Sequence, residues 1–169
     1  MQLTNIVTME RMTFSDAPCS IARSLDVLGD WWNPLILREC LYGVHRFKDM
    51  QHWLGIGRNI ITRRLSLLVE QGLLDKRQYQ EKPDRYEYHL TEKGYDAALV
   101  LVAVMTFGEK WYFERGQEPI QLYDRDTGIS VSPVIVDADT GKPIDIRRLY
   151  AGPGPSFPED IEIGKEWFS

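Results

Sequence analysis

The chain of 169 residues has little of what most specialised chemistries need. Its two cysteines, Cys19 and Cys40, are too few for a disulfide framework. Its three histidines, His45, His52 and His89, have no metal-ligand spacing and are expected at the surface or as caps. There is no glycine-rich phosphate loop, no paired metal-ligand motif and no nucleophile motif, so an enzyme is not expected. No apolar run approaches the ~20 residues of a membrane span. Residues 1–13 lack the basic start and apolar core of a signal peptide. The expectation is a cytoplasmic protein with no membrane association and no cofactor. Positive charge is also in short supply: the net charge is −5. Taken alone, that argues against nucleic acid.

The distribution of charge says more than its sum. Residues 1–94 hold 13 Lys and Arg against 12 Asp and Glu, whereas residues 95–169 hold 7 against 13. The acidity belongs to the C-terminal part. Exposed charges more than about 8 Å apart are largely screened at physiological salt. A locally basic surface on the N-terminal part can therefore still meet phosphate. The hydrophobic fraction of 43% is enough to bury a core. The length suits one domain with an appendage.

The stretch from Ile56 to Leu74 organises the rest. At about 100° per residue, Ile61, Leu65 and Leu68 form one stripe, with Val69 beside it. Asn59, Arg63 and Ser66 lie opposite, with Thr62 at their edge. Gly72 follows the last apolar turn as a helix stop. Arg bonds guanine, Asn bonds adenine, and Ser or Thr serves either. Such a helix can pack on a domain and face a major groove. Taken in isolation it reads equally as a solvated face with ordinary surface arginines; its surroundings decide.

Upstream, residues 1–18 read as an arm. Cys19 opens a helix carrying Ile21, Leu25 and Leu28, ended by Gly29. A second helix follows Asp30-Trp31-Trp32-Asn33-Pro34, with Leu37, Cys40 and Leu41 on one face. Trp31 and Trp32 are expected in the core or at a subunit contact. A short helix over Lys48–Leu54 then joins the central helix through Gly55-Ile56-Gly57, a helix-turn-helix. After Gly72 the period becomes extended: Leu73–Gln80, a turn at Glu81–Asp84, and Arg85–Leu90. A hairpin in that place is a wing, with Lys82 and Arg85 at its loop. Thr91 caps a long apolar helix over Glu92–Glu114. That helix is apolar around so much of its girth that burial by a second subunit accounts for it.

From Gln117 the chain becomes short strand-like runs with turns. Asp-x-Asp-Thr-Gly occurs twice, at Asp124–Gly128 and Asp137–Gly141. The later acidic ligands of a calcium loop are missing, so two hairpin turns are expected. The end, from about residue 152, is rich in proline, glycine and acid, and disorder is expected in part of it.

Together Leu25-Asp26-Val27-Leu28-Gly29, Leu35 to Glu39, Arg46-Phe47, Gly55-Ile56, Tyr79, Glu87-Tyr88 and Leu90-Thr91-Glu92-Lys93-Gly94 resemble the HxlR family of bacterial winged-helix transcriptional regulators. The resemblance covers about residues 19–112. It implies an α+β, mainly α fold: a winged helix-turn-helix and dimerisation domain over 19–115, with a small acidic β-rich extension over 116–169. It implies a homodimer held by the first and last helices, reading a partly palindromic double-stranded DNA operator as a repressor. Two departures stand out. Gly57 replaces a small polar cap before the central helix. Thr127-Gly128 and Thr140-Gly141 stand where longer members carry Cys-Gly pairs resembling zinc knuckles, and threonine cannot replace a thiolate, so no zinc is expected.

On this reading Arg63 and Asn59 contact bases, with Thr62 and Ser66 beside them. Arg58, Arg64, Lys82 and Arg85 hold phosphates or the minor groove. Arg46 either touches the DNA backbone or caps its neighbouring helix. Two switches are open. The family resemblance allows redox sensing at Cys19, which otherwise reads as a small buried residue at a dimer contact. A small hydrophobic effector among Trp31, Trp32, Phe107 and Trp111 is the other. The rival to DNA binding is a winged-helix protein-interaction module that uses the acidic extension.

Overall fold

The computed structural model describes residues 13–17, 19–150, 152, 154 and 155. Most of the expected arm, and the end from residue 156, lie outside the described residues. The part of the arm that is described is tied down: Thr13 Oγ1 and the Phe14 amide donate to Asp26 Oδ2 at 2.9 and 2.6 Å. Five helices and one hairpin follow. They are α1 (Ser20–Leu28), α2 (Trp32–Leu41), α3 (Phe47–Leu54), α4 (Arg58–Glu70), β1 (Leu74–Glu81), β2 (Asp84–Leu90) and α5 (Glu92–Tyr112).

The core forms where the apolar stripes of these helices meet. Ile36 and Leu37 from α2, Met50 from α3, and Ile61 and Leu68 from α4 are fully buried, and Leu65 of α4 nearly so. Each such side chain contributes about 1.5–3 kcal/mol relative to exposure. Three of them lie on α4, so its packing rather than its capping fixes its position. Truncating Leu65 to alanine would cost about 2–5 kcal/mol. Gly55 (φ 61°) and Gly72 (φ 69°) end α3 and α4 in the left-handed region, where a side chain is strained.

β1 and β2 pair antiparallel from Leu74↔Leu90 to Glu81↔Asp84. A register shift between Gln78 and Gln80 leaves Tyr79 without a partner on β2. One further bridge, Arg46↔Glu87, lays the entry to α3 beside the hairpin. Thr91 joins wing to helix: its hydroxyl accepts from the Gly94 amide at 3.0 Å and donates to the Gly72 carbonyl at 2.7 Å. That is the expected cap, and it also fastens α5 to the end of α4.

Among the described residues, apolar faces of α1 and α5 stay uncovered. On α1, Ile21 and Leu25 are exposed; on α5, Leu99, Val104, Phe107 and Trp111 are exposed. No helix of the described residues is long and apolar enough to cross a membrane.

In the extension each Asp-x-Asp-Thr-Gly motif closes a tight turn. Asp124 Oδ1 accepts the Thr127 amide and hydroxyl at 2.8 and 2.7 Å, and Asp137 Oδ1 does the same for Thr140. Each turn is sealed by one bridge, Tyr123↔Ser130 and Val136↔Pro143. These are the expected hairpin turns. The β-rich extension is thus two single-bridge turns and a 3-10 turn at Ile146–Arg148, rather than continuous strands.

Candidate nucleic-acid interface

Burial of Ile61, Leu65 and Leu68 turns the opposite face of α4 outward. Asn59, Thr62, Arg63 and Ser66 are all exposed there. Thr62 Oγ1 donates to the Arg58 carbonyl at 2.8 Å, so the hydroxyl proton belongs to the helix and Thr62 presents its methyl and an acceptor lone pair. Gly57 is the cap residue and has no side chain to offer. The first amides of α4 are therefore open to an external acceptor, as at anion-binding helix N-termini. Arg58 and Arg63 form no ion pair among the described residues.

Arg64 corrects the expectation of a phosphate contact. Its guanidinium is paired with the Asp30 carboxylate, and its side chain is only 11% exposed. Asp30 also accepts the Trp32 amide at 3.1 Å, capping α2. The pair links the α1–α2 turn to α4 and takes Arg64 out of the DNA-facing set. Leu67 lies in the same crevice, beside Trp31.

At the wing, Lys82 and Arg85 are exposed and form no ion pair among the described residues. Arg46 pairs across to the wing rather than capping its helix. It makes no cap bond on α3. Its Nε donates to Glu87 Oε1 at 2.9 Å, and its guanidinium lies 4.7 Å from the Tyr79 ring centre. The bond from Arg46 holds the Glu87 carboxyl below the usual carboxylate range, with His89 adding to the effect, and raises Arg46. His45 and His89 stack at 4.1 Å, a pairing absent from the sequence reading. Glu87 and Asp30 were both missed as partners, since the contacts of each span more than thirty residues of chain.

The two thiols differ in exposure. Cys19 is the exposed cap residue of α1, with no side-chain cap bond. Cys40 is a buried residue of α2, and burial, aided by Glu39, pushes its thiol up to about 12. Within the single chain the four aromatic residues named for an effector are spread over different surfaces. Trp31 is 86% exposed beside α4, while Phe107 and Trp111 lie on the open face of α5. Trp32 is partly buried against the core. A different cleft exists, of about 660 Å³, between α2, α5 and the extension, and none of those four residues lines it.

The sequence profile of the HxlR-like helix-turn-helix matches residues 27–116, the span from late α1 to just past α5. The chain belongs to the HxlR family. An uncharacterized HTH-type transcriptional regulator of Mycobacterium tuberculosis, Rv3095, is 37% identical over 138 residues, covering 82% of this chain and 87% of its own. Among solved structures, the proposed transcription factor PA1607 has a TM-score of 0.73 at 34% identity, covering 83% of this chain and 99% of that one. Another, PA1374 from Pseudomonas aeruginosa, has a TM-score of 0.58 at 40% identity, with 83% and 96% covered. This HxlR-family chain is a winged helix-turn-helix, DNA-binding transcriptional regulator, and its relatives are regulators rather than enzymes. Both solved relatives match beyond the HxlR-like span, and so reach into the extension that the family profile leaves out.

Proposed function

We propose that the protein is a homodimeric repressor that reads a partly palindromic operator in the cytoplasm. The observation that carries this is the two-faced α4: three buried leucine-class residues behind, and Asn59, Thr62, Arg63 and Ser66 exposed in front. Arg63 and Asn59 contact bases, with Ser66 and the Thr62 methyl alongside. Arg58, Lys82 and Arg85 hold phosphates or the minor groove, and Arg46 joins them where the backbone displaces Glu87. The uncovered faces of α1 and α5 supply the dimer contact, setting half-sites about one helical turn apart, ~34–36 Å. Oxidation of Cys19, at the start of the α1 contact helix, is the proposed control: a sulfenate or intersubunit disulfide there would tilt the wings.

The test is selection of bound duplexes from a random pool at about 150 mM salt, where unspecific phosphate binding fades. An enriched inverted repeat is expected. Failure to enrich any sequence would overturn the reading and leave a winged-helix protein-interaction module acting through the acidic extension. Peroxide treatment of the wild type and of Cys19→Ser on the enriched repeat then tests the switch.

A further inference from the structure

The cleft between α2, α5 and the extension is an apolar concavity that the DNA reading leaves unused. Its volume of about 660 Å³ lies in the ~300–1,000 Å³ range of small-molecule sites. Leu35 on α2, Leu101 and Met105 on α5, and Ile120 and Leu122 on the extension form its walls. On a helical wheel Leu101, Met105 and Gly108 lie within about 60° of one another, and Phe107 and Trp111 more than about 60° beyond that stripe. Phe107 and Trp111 lie outside the cleft, while Val104 borders both the cleft and the uncovered face of α5.

Its charges are three: Arg38, Glu39 and Glu109. Arg38 is committed to Glu39, whose side chain is only 8% exposed. Glu109 forms no ion pair among the described residues. The lining therefore carries one carboxylate in excess, against apolar walls that weaken screening. An anion would meet repulsion there; a cation with an apolar body satisfies both features.

We propose that this cleft is a binding site for a small lipophilic cation, held by the Leu101 and Met105 walls and by the Glu109 carboxylate. The effector role of such a molecule rests on the regulator reading above, while its binding does not. α2 lines the cleft on one side and packs its Ile36 and Leu37 against the α4 core on the other, so a ligand there bears on the helix that positions α4.

The experiment titrates the full chain with two triarylmethane dyes of similar shape and opposite charge, crystal violet as the cation and bromophenol blue as the anion, followed by their spectral shifts. Crystal violet is expected to bind saturably, at least about ten-fold tighter than bromophenol blue. Met105→Trp, which fills the cleft, is expected to weaken crystal violet at least about ten-fold. Glu109→Gln keeps the shape, and is expected to lower crystal violet affinity while leaving bromophenol blue unchanged or improved. Equal binding of the two dyes, or no loss of crystal violet with Glu109→Gln, would overturn the proposal even were Met105→Trp to misfold. Dye binding without any enriched duplex would leave the cleft standing and the regulator reading refuted; the reverse result would do the opposite.

Discussion

Two glycines on α5 predict opposite outcomes for the same substitution. A Cβ on Gly94 would lie 2.2 Å from the Leu73 carbonyl oxygen and 3.1 Å from Leu90 Cδ2. That oxygen is backbone, and it already accepts the Thr91 amide at 3.1 Å, so it cannot swing aside without loosening the wing root. A Cβ on Gly108 would meet only Tyr112 Cδ2, at 3.9 Å. Alanine exceeds glycine in a helix interior by about 0.8–1 kcal/mol. At Gly108 that gain stands nearly alone, so Gly108→Ala should stabilise by about 0.5–1 kcal/mol. At Gly94 the first turn must move off the hairpin, an overpacking cost toward the upper end of about 1–3 kcal/mol; less the alanine gain, Gly94→Ala should be net destabilising by about 1–2 kcal/mol. At roughly 2–4 °C per kcal/mol for a chain of this size, Tm should rise by about 1–4 °C in one variant and fall by about 2–8 °C in the other. Thermal and urea melts at one fixed protein concentration measure both, since the proposed dimer would make stability depend on concentration. A Gly94→Ala protein as stable as the parent would refute the close approach of α5 to the wing root.

Arg63→Ala should cost about 1–3 kcal/mol on the selected operator and relax its specificity, whereas Lys82→Ala should weaken all duplexes alike and lower the salt slope by about 1; competitive binding across salt concentrations separates them. Asp30→Ala should lower unfolding free energy by about 1–3 kcal/mol in urea, because it leaves the mostly buried Arg64 guanidinium uncompensated, the pair's partial exposure keeping the loss below that of a fully buried pair. In native protein a maleimide should label Cys19 alone, with Cys40 reacting only in urea, since its thiol is buried on α2 and pushed up to about 12; intact-mass counting reads one adduct against two. Glu87 has its folded pKa below the ordinary 4.5, so its bond to Arg46 contributes above that value and is lost as pH falls through the lowered one. Glu87→Gln should therefore flatten the acid limb of a plot of urea midpoint against pH.

Much of this protein was legible in its sequence because its helices obey one period. The α4 stripe, the Thr91 cap, the glycine stops and the hairpin itself are local consequences of spacing and turn chemistry, and each stands where the sequence places it, within a residue or so at the hairpin turn. Even the Arg64 correction had a local signal. At about 100° per residue Arg64 lies ~40° from Leu68, at the edge of the buried stripe, while Arg63 lies ~140° away on the open face. The sequence alone, then, determined which faces of α4 and α5 are apolar, where the wing turns, and that the extension closes two Asp-Thr turns. Only the tertiary structure decided what those faces touch. Asp30 reaches Arg64, Glu87 reaches Arg46, and the extension walls a cleft with α2 and α5, while the four aromatic residues expected to share a pocket stand apart. The reason is physical: periodicity fixes the direction of a side chain about its own helix axis, but a partner from a distant segment is chosen by how the helices cross, and that follows from packing the whole core at once.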